Sequence, residues 1–382
     1  MAMRQVLVEY QRMPICNTKT VWVLGAGFSR SLGGPLLDDL FRLRWWGYDE
    51  AFYPRQEFPC LASDLYWTRM FFDVGKEHRL WDNAEQFLAY VDDGQGPNET
   101  KKRVLRLLMR STSSERSGLS PSPGDGNGRD RFSENFALCT RRAMAAECDS
   151  FLRDANPLID EKWQPYRRWA GALHTDLDVV LSFNYDLVIE ELGDKFDIRV
   201  PQSSRIPDRV PVFKLHGSVD WQAPDASRVT RDSIFRSPMA CPLIAAPGTS
   251  KETKVVSDLS PLWREAEEHL EAAGAIVFVG YSFPKSDVGA GFRLREAMRR
   301  DRCGYLKRRR IDLVLGPDIN GEHINRVATL LRACGGSRSL FDINDSTDAS
   351  TNYLWLVRQP LWAEDFLGEA QLHVGFHNLD LK

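Results

Sequence analysis

The segment VWVLGAGFS at residues 21–29 decides the fold class. Its first half is a short, β-branched apolar run that breaks straight into glycines, the pattern of a strand buried inside an α/β sheet. Ser29, Arg30 and Ser31 then lead into LLDDLFRLRWW, where Leu36, Leu37, Leu40, Phe41 and Leu43 share one helical apolar face. The expected first unit is strand, glycine turn, helix.

Similar runs recur downstream. DVVLSFN (178–184), VPVFKLHG (210–217), PLIAAP (242–247), AIVFVGYSF (275–283) and IDLVLGP (311–317) read as strands. Helices fit best at 186–193, 259–273, 287–300 and 319–334. This alternation predicts an α/β, Rossmann-like, mainly parallel sheet with helices on both faces. Between the first strand and the rest lies a large helical insertion at about 60–175, its clearest pieces being DNAEQFLAYV (82–91) and KKRVLRLLMR (101–110). Inside it, residues 111–130 are rich in Ser, Gly and Pro and read as a mobile loop within the domain. One domain is expected over 1–335. A C-terminal extension, 336–382, follows it and holds one more strand candidate, YLWLV at 353–357.

The 382 residues are 43% hydrophobic and 27% charged, enough apolar material for a core and incompatible with wholesale disorder. Lys plus Arg is 50 and Asp plus Glu 53, so the net charge of −3 gives no global reason to coat nucleic acid or anionic membrane. Basic runs at Arg299–Arg302 and Lys307–Arg310 are either a docking face or solvated helix ends. Seven cysteines, at 16, 60, 139, 148, 241, 303 and 334, include no CxxC pair, which argues against a zinc ribbon or a disulfide framework. No metal is expected. The N-terminal segment lacks a continuous apolar run and no stretch is long enough to span a bilayer, so a cytoplasmic chain is expected.

In a doubly wound sheet, ligands bind beyond the carboxyl ends of the strands, where this sequence carries its suggestive polar residues. The first strand ends in Gly25-Ala26-Gly27-Phe28-Ser29, which serves either a pyrophosphate or simply a tight strand-to-helix turn. A dehydrogenase GxGxxG would need glycine where Arg30 stands. The 178–184 strand runs into Asn184 and Asp186, two residues apart and able to aim into one cleft. The next ends in His216-Gly217-Ser218, where the imidazole is a base, a donor to a bound sugar, or a structural residue. The strand at 275–283 ends in Gly280-Tyr281-Ser282, with Asp287 opening the next helix; Ser282 and Asp287 either hold a ribose or cap that helix.

In this order, GAGFS (25–29), FNYD (183–186), KLHGS (214–218) and GYSFPKSD (280–287) resemble the sirtuin-like (Sir2-like) NADase domains of bacterial anti-phage defence systems. DNAEQFLAYV (82–91) is similar to a helical segment common in that group, and the resemblance covers roughly 20–335. It implies NAD as substrate. Gly25, Ala26, Gly27 and Ser29 would meet the phosphates, Asn184 would order the nicotinamide ribose and the attacking water, Asp186 would meet the nicotinamide amide, and His216 would be the catalytic histidine. Gly280 and Ser282 would complete the NAD site, Ser282 at the distal ribose. Protein-deacylating sirtuins usually carry a four-cysteine zinc module, and no CxxC pair here can build one. Hydrolysis of NAD to ADP-ribose and nicotinamide is therefore the expected activity. The alternatives are a catalytically silent NAD- or ADP-ribose-sensing subunit, or a deacylase or ADP-ribosyltransferase on the same scaffold. The resemblance further implies a separate sensor, either an Argonaute-like protein or a HerA-type ATPase ring. Nucleic acid would then be met only through that partner, and no membrane directly. An enzyme that destroys NAD needs restraint, so a homo-oligomer gated through its insertion is expected.

Overall fold

The computed structural model describes residues 19–41, 52–92, 135–224, 226–247, 251, 257–284, 287–300, 308–317, 322–332, 353–359 and 361–368. The expected loop at 111–130 and the helical piece at 101–110 lie outside these residues.

The main sheet is built from β1 (Lys19–Leu24), β2 (Asp178–Ser182), β3 (Phe196–Arg199) and β4 (Val210–Lys214), with β8 (Ala273–Val279), β9 (Arg308–Val314) and β10 (Tyr353–Gln359). Its order is β10-β9-β8-β1-β2-β4-β3, and every pairing is parallel. The Rossmann-like α/β architecture is thus present, and the 353–357 segment forms the strand at one edge. Three short strands, β5 (Gly217–Gln222), β6 (Ser227–Arg228) and β7 (Pro242–Ile244), make a separate antiparallel sheet. PLIAAP therefore belongs to this side sheet, where it runs back along β5. Phe196–Arg199 was not foreseen as a strand, because FDIR is short and half polar and sits at the sheet edge.

The central strands are buried on both faces, which their unbroken apolar runs require. Val21, Val23, Val179, Leu181, Ile276 and Phe278 point to one side. That side is covered by α8 (Ser260–Glu271), α9 (Val288–Arg299) and α10 (Glu322–Arg332). Trp22, Leu24, Val180, Val277 and Val279 point to the other, beneath the insertion. There α2 (Pro59–Glu77), α3 (Ala84–Asp92), α4 (Phe136–Ser150) and α5 (Gln164–Ala172) supply a largely aromatic layer. Trp169 of α5 meets Trp22 edge-on at 5.6 Å and Phe28 at 5.4 Å, so the insertion grips the first strand and its turn.

The insertion is also tied to the lobe that follows β6. Arg142 of α4, fully buried, pairs with Asp64 at 2.8 Å. It also donates to the carbonyls of Phe235 (2.9 Å), Ala240 (3.2 Å), Ile234 and Ser237. Phe235 and Ile234 lie on α7 (Arg231–Arg236).

The first helix differs from expectation. The turn after β1 winds at once into α1 (Ala26–Ser29) and a 3-10 turn at Arg30–Leu32. Leu36–Phe41 forms only a 3-10 turn at Leu37–Asp39, after which Leu40 is extended and Phe41 takes φ 62°. Leu40 and Phe41 are buried as their apolar character demands, but burial is achieved without a helix. Of the two basic runs, Arg299 pairs with Glu296 and Arg300 with Glu271 and Glu267. Among the described residues, no helix is long and apolar enough to cross a membrane.

Candidate active site

The chain leaves β1 toward β2 and β4 on one side, then returns to lay β8 on the other side of β1. Connections leaving two neighbouring strands in opposite directions open a crevice at their carboxyl ends. The 25–29 turn after β1 and the 280–287 turn after β8 meet there. Gly25 N–H donates to Val279 O (3.0 Å) and Gly27 N–H to Gly280 O (3.1 Å). A Cβ on Gly27 would stand 2.7 Å from Gly280 Cα, and Gly280 itself holds φ 66° with its missing Cβ aimed at Phe28 N. These glycines therefore admit each other's backbone. Of the turn's amides, Gly25, Gly27 and Phe28 are spent on carbonyls, while exposed Ala26 opens α1 and has no intrahelical partner. Gly27→Val is expected to lose several degrees of melting temperature, because it parts the two turns. Thermal melting checks this; an unchanged melting temperature would mean that the two turns part without cost.

The second turn docks on the first. Asn184, 7% exposed, donates from Nδ2 to Gly25 O (3.0 Å) and Ser29 Oγ (3.3 Å). Ser29 Oγ in turn donates to Asp186 Oδ2 (2.7 Å), whose Oδ1 accepts Val188 N–H (3.2 Å). Gly25, Ser29, Asn184 and Asp186 thus form one hydrogen-bonded chain. Burial pushes the Asp186 carboxyl up from its ordinary value, against the pull of Lys214 and Ser29. Nothing among the described residues donates to Asn184 Oδ1, which stays available as an acceptor.

The loop holding Asn184 rests on a lysine that the sequence reading passed over. Lys214, the last residue of β4, is fully buried. Its Nζ donates to Asp186 O (2.5 Å), Tyr185 O (3.4 Å), Ser218 Oγ (2.7 Å) and Glu190 Oε1 (2.9 Å).

His216 follows one residue after Leu215, 2% exposed. Its ring stands edge-on to Phe183 at 4.8 Å, and Phe183 stacks on Tyr281 at 4.2 Å. Nε2 is buried without a partner among the described residues, 4.0 Å from Asp287 Oδ1. Gly217 behind it has φ 83°, and a Cβ there would strike Leu243 O, so the turn that presents His216 requires glycine. Burial first, then the Lys251 ammonium, bring the imidazole pKa down to about 3. His216 is therefore a neutral imidazole at physiological pH. Its folded pKa lies below the unfolded value of about 6.5, so its contribution to stability is complete above that pH and is lost as pH falls toward 3. Acidification from about pH 6.5 to about pH 4 is expected to lower the melting temperature of the wild type more than that of a non-titrating His216→Gln variant. Equal falls would mean that the imidazole is not held neutral.

The remaining partners come from the 280–287 turn and from Lys251. Asp287 pairs with Lys251 through Oδ1 and accepts Tyr281 Oη at 3.2 Å on Oδ2. Burial works against its charge, but the Lys251 ammonium and the Tyr281 hydroxyl hold the Asp287 carboxyl below the usual range. Ser282 is half-buried and its carbonyl accepts from Arg326 (2.5 Å); among the described residues its hydroxyl has no hydrogen-bond partner. Asp287, not Ser282, is the residue of this turn that faces His216.

No family model and no curated protein matches the chain. Solved structures do. Sir2Tm bound to a propionylated peptide aligns over 98% of this chain and 100% of its own, at 12% identity and a TM-score of 0.38. A structure described as the structural basis for sirtuin substrate affinity aligns over 98% of both chains, at 11% identity and a TM-score of 0.34. At those values no residue's role carries across, and the chemistry rests on this chain's own geometry.

Proposed function

We propose that this chain hydrolyses NAD+ to nicotinamide and ADP-ribose. The observation that carries the reading is the convergence, at one sheet crevice, of the Gly25–Ser29–Asn184–Asp186 chain with the unpartnered Nε2 of a neutral His216. The bond from ribose C1′ to nicotinamide breaks with its electron pair passing to the ring nitrogen, through an oxocarbenium-like state. Water then attacks C1′ and gives up a proton. Asn184 Oδ1, with its amide hydrogens spent on Gly25 and Ser29, is a fixed acceptor that can orient that water. His216 Nε2 can accept from a ribose hydroxyl and hold the sugar while charge develops. Ala26, exposed at the opening of α1, is where a phosphate oxygen would meet the first turn.

The sequence resemblance supports a setting for this activity: an effector of anti-phage defence that depletes cellular NAD, restrained as a homo-oligomer and released through a separate sensor protein. Purified chain incubated with NAD+, with nicotinamide release followed across protein concentration and paired with light scattering, tests both levels. Nicotinamide release is the expected result, with specific activity that depends on assembly. Bound but unconsumed NAD+ would leave a silent sensor, and a fully active monomer at all concentrations would end the assembly gate.

A further inference from the structure

Asn184 is oriented by two acceptors, Gly25 O at 3.0 Å and Ser29 Oγ at 3.3 Å, and both lie in the turn after β1. That turn holds only a four-residue helix, too short to keep its own geometry, so its shape must be imposed from outside. A buried tyrosine of the insertion does so. Tyr166 of α5 is 0% exposed, and its hydroxyl donates to Phe28 O at 2.6 Å. That spends its one hydrogen, so the Ser31 hydroxyl, also at 2.6 Å, donates to Tyr166 Oη. Burial raises the phenol above its ordinary range, which keeps the hydrogen given to Phe28 O in place. The two contacts fall on either side of Ser29. Phe28 N–H in turn donates to Gly25 O at 2.8 Å, the same carbonyl that takes Asn184. One hydroxyl thus pins the stretch that carries both Asn184 acceptors. The ring itself stands edge-on to Phe28 at 5.1 Å, and α11 (Ala363–Gly368), from the C-terminal extension, packs on α5 and on α1.

We propose that Tyr166 is a positioning residue, through which the helical insertion fixes the Asn184 amide for the hydrolytic step. The proposal rests on the NAD hydrolase reading for the reaction that Asn184 serves. Without the hydroxyl, Phe28 O and Ser31 Oγ lose their shared partner. Gly25 O and Ser29 Oγ can then drift, and Asn184 Oδ1 drifts with them. A misplacement of about 1 Å in an orienting group costs up to about a hundredfold in rate. Binding of NAD+ is spread over many more contacts and feels the same drift far less, so kcat falls while KM holds.

The test uses the full chain, with kcat and KM for nicotinamide release measured beside thermal melts. Tyr166→Phe removes the hydroxyl and keeps the ring against Phe28. Phe366→Leu is the reference, since it loosens the same apolar cluster from α11 and leaves the hydroxyl in place. Both are expected to melt a few degrees below wild type. Tyr166→Phe should lose about tenfold or more in kcat with KM within about threefold, whereas Phe366→Leu should keep kcat within about twofold. Ser31→Ala breaks one of the two contacts and should cost about two- to threefold in kcat. Tyr166→Phe/Ser31→Ala should then fall no further than Tyr166→Phe alone. A melt lowered without loss of kcat, or an equal loss of kcat in Phe366→Leu, makes the tyrosine merely structural; either overturns the positioning role and spares the hydrolase reading. Effects of Tyr166→Phe and Ser31→Ala that multiply overturn it too, because the hydroxyl would then not act through the turn. A wild-type chain that binds NAD+ and releases no nicotinamide overturns the hydrolase reading and the positioning role with it.

Discussion

His216→Ala and Asn184→Ala are each expected to lower nicotinamide release by about two orders of magnitude or more. A hundredfold loss corresponds to about 2.7 kcal/mol of transition-state stabilisation. Two side chains at strand ends that line a cleft would, on sequence grounds, be expected to leave folding nearly intact when truncated. The structure buries them instead, at 2% and 7% exposure, so truncation has a folding cost as well. Asn184→Ala gives up two hydrogen bonds, to Gly25 O and Ser29 Oγ, at about 1 kcal/mol each. His216→Ala leaves a void against Phe183 of comparable cost, about 2 kcal/mol. A protein that begins with about 5–15 kcal/mol of stability and loses about 2 remains overwhelmingly folded. Unfolding therefore cannot account for a hundredfold fall in rate. Thermal melts measured beside the rates separate the two effects. Retained activity in both variants, with melts shifted as described, would remove these residues from the chemistry.

The sequence made the candidate site legible where polar residues fall at the ends of apolar runs. Apolar runs located β1, β2, β4 and β8, and the parallel sheet brings their polar ends together, so Gly25, Ser29, Asn184, Asp186 and His216 could be named before any coordinates. Spacing could not say what the glycines are for. Gly27 and Gly280 lie 253 positions apart in the chain, and their contact exists only because β1 and β8 become neighbours. Lys251 was invisible for the same reason. Its surroundings, PGTSKET, have no periodicity, and its meaning lies entirely in reaching Asp287. No α-helix forms over 36–41, because the apolar spacing there is equally satisfied by a turn that buries Leu40 and Phe41; the rest of the expected helix, 42–46, lies outside the described residues. Lys214 was within a quoted motif but was overlooked, since a lysine is ordinarily a solvated residue and this one is fully enclosed.

That enclosure makes Lys214→Met the most damaging single change expected outside the reacting groups. The lysine meets Glu190 at 2.9 Å and also satisfies Ser218 Oγ and the carbonyls of Tyr185 and Asp186. Methionine keeps the volume but strands the Glu190 carboxylate and takes the Asp186 carbonyl's ammonium partner away in a dry site, at a cost of about 3–5 kcal/mol; the Tyr185 carbonyl keeps Val219 N–H at 3.0 Å. Burial already pushes the Glu190 carboxyl up, and without Lys214 it rises further above its unfolded value. A group raised in the folded state contributes most below its unfolded pKa and loses that contribution as pH rises through the folded one. The stability deficit of Lys214→Met should therefore shrink as the solution is made more acidic. The double variant Lys214→Met/Glu190→Leu removes the stranded carboxylate and is expected to recover much of the stability, because an apolar replacement of a buried ion pair is often close to neutral. Activity should not recover with it. The Asp186 carbonyl still lacks its anchor, and Lys214 is what ties that end of the Asn184 loop to β4. Denaturant unfolding and nicotinamide release on the same three proteins decide the matter. A single variant that loses less than about 1 kcal/mol would mean that Lys214 reaches water, and a double variant regaining both stability and rate would show that its carbonyl contacts do not hold the site.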